Sequence, residues 1–85
     1  MRQKGGRSIK IHGGDPMQEQ GLPDLIICYR GRFVGAEGKQ PGEKPSRKQK
    51  QILDEIDEAG GKTLVFTTVE DVASLLRKID KEVDR

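Results

Sequence analysis

The 85-residue sequence predicts a small α/β (α+β) domain built on a mixed sheet, its elements ordered β-β-β-α-β-α. Two β-rich runs face each other across Arg30-Gly31-Arg32, as in an antiparallel hairpin. Two segments with apolar residues at helical spacing each open on a capping signal, with a short β-rich run between them. Helices with one apolar stripe must cover a sheet, and that need sets the class.

Residues 1–7 (MRQKGGR) are basic and glycine-rich and are expected to be a flexible start. Ser8 to His12 (SIKIH) alternates, which predicts a short strand. Gly13 to Gly21 (GGDPMQEQG) has the residues of a loop. The hairpin follows, with strands over Asp24 to Arg30 and Phe33 to Lys39. Pro41, Gly42 and Pro45 make Gln40 to Pro45 a turn. Ser46 is the expected N-cap of the first helix, with Gln49 in the capping-box position. Ile52, Leu53, Ile56 and Ala59 form its apolar stripe, and Gly60-Gly61 ends it. A strand over Lys62 to Thr67 comes next, then a second cap at Thr68 and Asp71. Val69, Val72, Ala73, Leu76, Ile79 and Val83 are the stripe of the last helix, whose acidic outer face is expected to be solvated.

Charged residues (35%) outnumber hydrophobic ones (32%), so residues 1–85 are expected to form one domain with a thin core. Tyr29, Phe33 and Phe66 are the only aromatics, too few for a platform on which single-stranded bases stack. Cys28 is the lone cysteine and His12 the lone histidine, which excludes an intrachain disulfide and a Cys/His zinc site. Cys28 is expected in the core of a central strand. A reducing, cytoplasmic setting is expected, since no stretch reads as a signal core or reaches membrane-spanning length. Residues 1–50 hold 11 Lys/Arg against 5 Asp/Glu, and residues 51–85 hold 5 against 9. A polyanion would be drawn to the first part, although such charge also serves solubility.

Side chains two apart in a strand share a face. Phe33, Gly35, Glu37 and Lys39 therefore point one way, and Val34, Ala36 and Gly38 the other. With a turn centred near Gly31, Asp24 lies across from roughly Gly38 and reaches the edge of the Glu37/Lys39 face. Two carboxylates suit a hard divalent cation such as Mg²⁺, which activates water and stabilises charge on a phosphodiester. Lys39 would orient the water or meet the developing charge. The Gly38 carbonyl is a further candidate ligand. An E-x-K pair alone is commonly a solvated cross-strand ion pair, but P-D-x(12)-E-x-K beside clustered basic residues favours the catalytic reading.

Gly21-Leu22-Pro23-Asp24-Leu25-Ile26, Phe33 through Glu37-Gly38-Lys39, and Ser46-Arg47-Lys48-Gln49 together resemble the VRR-NUC domain. This is a branch of the PD-(D/E)xK nuclease superfamily found in phages, bacteria and a eukaryotic crosslink-repair nuclease. The likeness extends over roughly residues 9 to 80. It implies a restriction-endonuclease-like core and Mg²⁺- or Mn²⁺-dependent endonuclease action on DNA, branched, flapped or at junctions, in replication or repair. It also implies Asp24 and Glu37 as metal ligands, Lys39 as the catalytic lysine and Gln49 as the active-site glutamine. Gln49 lies on the stripe of Ile52, Leu53 and Ile56, so it also faces the sheet; a plain capping role is its alternative. The family usually begins with a helix that carries a further glutamate, whereas only MRQKGGR precedes Ser8 here and Glu19 does not match that position. A shortened member, or a wall supplied by a partner in a homodimer, is expected.

Lys44, Arg47, Lys48 and Lys50 surround the start of the first helix and are candidates for binding DNA phosphates. Lys10 and His12 are weaker candidates, because a strand-end histidine is more often polar surface. Arg30 and Arg32 are expected to be solvated at the far end of the hairpin. The competing expectation is a catalytically impaired DNA-binding or assembly subunit; RNA cleavage is a third.

Overall fold

The computed structural model describes residues 5–10 and 20–84. Its elements are β1 (Gly6–Lys10), β2 (Leu25–Tyr29), β3 (Arg32–Gly38), α1 (Arg47–Glu58), β4 (Lys62–Phe66) and α2 (Val69–Val83). This is the expected β-β-β-α-β-α succession. The four strands form one sheet in the order β1-β2-β3-β4. β1, β2 and β3 are successively antiparallel, and β4 runs parallel to β3. A parallel neighbour requires a crossover, and α1 supplies it. The architecture is a small mixed α+β fold.

The hairpin between β2 and β3 pairs Tyr29 with Arg32, which leaves Arg30 and Gly31 as a two-residue loop. Both have positive φ, 50° and 83°, as the primed turns that match strand twist demand. The turn is thus centred between Arg30 and Gly31, not on Gly31. The ladder ends at Leu25 opposite Ala36, so the next step sets Asp24 opposite Glu37 rather than Gly38. Arg30 is not the solvated residue expected. Its guanidinium reaches Asp80 (2.9 Å) and Asp84 (2.7 Å) at the end of α2. The Tyr29 hydroxyl donates to Asp80 as well.

β1 starts two residues earlier than the alternation suggested. Gly6 and Arg7, expected in a flexible start, pair with Tyr29 and Cys28, and the Gly5 carbonyl accepts the Arg30 N–H. The reason is the partner strand: pairing begins at the hairpin turn, and that fixes which residues of the first segment are extended. His12 and residues 13–19 of the expected loop lie outside the described residues.

Alternation along β2 and β3 separates the two faces of the sheet. Ile27 and Val34 form the core with Ile79 of α2, and Leu25, Tyr29, Val72, Leu75, Leu76 and Val83 pack around it. Leu75 thus joins the stripe, while Val69, expected in it, is 83% exposed. Val69 is the first residue of α2 and lies beyond the packed turns. α1 covers the opposite face over β3 and β4, burying Ile52 and Leu53. A Cβ on Gly35 would fall 2.8 Å from the Ile56 side chain. Ala59 caps the helix and is exposed. Cys28 shares the α1 face with Phe33, its partner in the ladder. α1 does not reach across to β2 there, so Cys28 is exposed rather than part of the core, and Ile9 and Phe33 are about half exposed. Among the described residues no helix is long and apolar enough to cross a membrane.

Candidate active site

The Gly38 end of β3, the Asp24 end of β2 and the first turn of α1 meet at one end of the sheet. The G-x-P-D segment builds this corner by close approach. Gly21 has φ +84°, and a Cβ there would fall 2.6 Å from Lys48 Cγ and 3.0 Å from the Lys48 backbone. Pro23 is buried, and a Cβ on Gly35 would stand 3.2 Å from its ring. The chain entering β2 is therefore seated between α1 and β3. Asp24 is delivered at the point where its carboxylate accepts the Gly38 N–H at 2.9 Å.

Glu37 is the only charged residue buried among those described, at 3% exposure. Gln49 donates its side-chain N–H to Glu37 Oε2 at 2.7 Å, and the Lys39 ammonium stands 3.8 Å from the same oxygen. Glu37 Oε1 is buried with no hydrogen-bond partner. Burial pushes the Glu37 carboxyl above the ordinary glutamate range and the Asp24 charge adds to this, while Lys39 and the nearby Asp24 backbone N–H oppose it. A carboxylate oxygen in this state is satisfied either by a proton or by a cation.

Gln49 has the capping role and also faces the sheet, as its place on the stripe implied. It completes the capping box with Ser46 and touches Glu37. Its contact partner was not visible in the sequence; the signal was its place on the buried stripe of α1. Lys39 follows β3, and its own N–H donates to the Phe66 carbonyl at 2.9 Å, which anchors the chain as it leaves the sheet. A Cβ on Gly38 would press on the Phe66 ring at 3.1 Å, so close packing accounts for this glycine.

Lys44, Arg47, Lys48 and Lys50 are exposed around the start of α1, whose first turn has no acidic residue. Lys50 also pairs with Asp54 at 3.6 Å. Positive charge at a helix N-terminus opposes the macrodipole, so this arrangement is better matched to an incoming anion than to helix stability. Lys10 lies at the same end of the sheet but on the α2 face, since it pairs with Leu25. His12 lies outside the described residues.

The donor set fits a hard divalent cation. Mg²⁺ is commonly bound by one or two carboxylates, with water and phosphate completing its shell. Asp24 and Glu37 provide that number, and Glu37 Oε1 has no hydrogen bond that a cation would have to displace. No group of three Asp, Glu, His or Cys residues gathers among the described residues. Compared with known proteins, the chain matches no protein-family model and no curated protein.

Proposed function

We propose that the chain is a Mg²⁺- or Mn²⁺-dependent DNA endonuclease with a restriction-endonuclease-like core of the VRR-NUC kind. The observation that carries this reading is the buried Glu37 carboxyl near Asp24, whose Oε2 meets Gln49 and Lys39 while its Oε1 has no partner. Asp24 and Glu37 would hold the metal, with the Gly38 carbonyl as a further candidate. When bound, the metal would supply Lewis-acid charge and an acidified water. Lys39 brings a fixed positive charge to the same corner, suited to the charge that develops on a phosphodiester. Gln49 holds Glu37 in place. Lys44, Arg47, Lys48 and Lys50 would take phosphates beside the helix N-terminus, with Lys10 a peripheral contact. Branched or junction DNA, a homodimer and a cytoplasmic role in replication or repair belong to the same reading.

The second reading is a DNA-binding or assembly subunit without activity. The exposed Lys44, Arg47, Lys48 and Lys50 around the start of α1 serve this reading equally, since binding phosphates needs no metal. Cleavage of end-labelled duplex, flap and four-way-junction DNA with Mg²⁺, Mn²⁺ or EDTA, for wild type and Lys39→Ala, separates the two. Metal-dependent cutting lost in the variant supports the nuclease. Binding without cutting by the wild type sinks it in favour of the subunit.

A further inference from the structure

We propose that Ser46 acts through Gln49 as a positioning residue: its backbone N–H sets the direction of the Gln49 amide, and that amide sets Glu37. A glutamine side chain has an acceptor end and a donor end of nearly equal shape, and only its partners decide which way it points. Here the Ser46 N–H, which can only donate, decides it. The Ser46 N–H donates to Gln49 Oε1 at 2.9 Å, a bond that the amide nitrogen could not accept. Glu37 Oε2 accepts from Gln49 Nε2 at 2.7 Å, a bond that the amide oxygen could not donate. Flipping the amide would set donor against donor and oxygen against oxygen, losing both bonds together. The Gln49 N–H donates to Ser46 Oγ at 3.1 Å, which completes the loop around the first turn of α1.

The arrangement explains why a glutamine serves where capping alone would be met equally by glutamate. The amide satisfies Glu37 Oε2 without cancelling the carboxylate charge. A lysine or arginine in its place would neutralise that charge, and a glutamate would repel it. Oε1 is thereby left as the free oxygen of a carboxyl group whose other oxygen is held in place. The clamp's purpose, holding a metal ligand ready, rests on the nuclease reading; its geometry does not.

The test compares Ser46→Ala, which removes the hydroxyl cap and keeps the N–H, with Ser46→Pro, which removes both. Ser46 has φ −66°, the angle that proline imposes. The Gln49 side-chain amide, followed by hydrogen exchange in the metal-free protein, is expected to stay protected in Ser46→Ala and to exchange freely in Ser46→Pro. Mn²⁺ affinity or kcat should fall a further 10- to 100-fold, on the order typical of lost ligand-orienting partners, from the alanine to the proline variant, with KM for DNA little changed. Equal behaviour of the two variants would overturn the clamp and leave Ser46 a helix cap. If Ser46→Pro does not fold, Gln49→Glu decides: it keeps the capping box but loses the donor to Glu37. A cap alone predicts unimpaired cleavage in that variant, whereas the clamp predicts its loss with α1 intact by circular dichroism. A wild type that neither binds Mn²⁺ nor cuts DNA removes the nuclease reading, and amide exchange then judges the clamp alone.

Discussion

The Asp24 carboxylate accepts the backbone N–H of Gly38 at 2.9 Å, so the first carboxylate of the corner is tied to the strand that carries the second. This bond makes Asp24 both a structural acceptor and a charge. Asp24→Asn keeps an acceptor oxygen and removes the charge, so the fold should survive while metal binding and cleavage are lost. Asp24→Ala removes the acceptor too and should cost about 1–3 kcal/mol in urea unfolding. Equal stability loss in the two variants would show that the Gly38 bond contributes nothing.

Glu37 gives a pH dependence whose sign follows from its burial. Its carboxyl titrates above the ordinary value in the folded protein, so the folded state binds a proton where the unfolded chain has already released it. The stability it contributes is present in full below the ordinary glutamate pKa of about 4.5. It is lost as pH rises through the folded value. Glu37→Gln should remove this slope and be the more stable protein at neutral pH, by urea midpoints measured from pH 4 upward. Asp71 and Asp84, whose carboxyls are held below their ordinary range by the Thr67 and Thr68 N–H groups and by Arg30, act in the opposite sense. They contribute stability above the ordinary aspartate range that is lost at more acid pH. Because both proteins share these groups, the difference between them isolates Glu37.

Arg30 ties the hairpin turn to the end of α2 through Asp80 and Asp84, yet it sits at φ 50°, where asparagine and glycine are at greater ease. Arg30→Asn should therefore exchange ion pairs for a better turn. A small net loss of stability at low salt should shrink in 1 M salt, where screening is nearly complete. A salt-independent loss would mean that packing of the arginine stem dominates.

Ile79 has no exposed surface and Val69 is 83% exposed, although both lie on one apolar pattern in the sequence. Ile79→Ala should destabilise the fold by about 2–5 kcal/mol, and Val69→Ala by no more than about 0.5 kcal/mol. Thermal unfolding of the two variants tests whether α2 packs from Val72 onward.

Cys28 is exposed. A disulfide reagent should label it in the native protein about as fast as in the unfolded chain, and Cys28→Ser should shift stability by less than about 0.5 kcal/mol. Labelling that requires unfolding would place it under a covering surface, such as a second copy of the chain.

Much of this architecture follows from local chemistry that the sequence displays. Ser46 with Gln49 and Thr68 with Asp71 mark both helix starts, because capping bonds span only three residues. The sharing of one strand face by Phe33, Gly35 and Glu37 follows from the two-residue period of an extended chain. What the sequence left open is what depends on residues far apart. The register that sets Asp24 opposite Glu37 came from a turn in which glycine supplies one positive φ and Arg30 the other, the latter offset by its bond to α2, some 50 residues on. The position of β1 was decided by its partner strand, not by its own alternation. The exposure of Cys28 and Val69 depended on how far each helix reaches across the sheet, which no local pattern encodes. Glu37 could be singled out from its motif. Its burial, its orphaned oxygen and its bond to Gln49 arise only when β3 and α1 pack together, because burial is a property of neighbours and not of the residue.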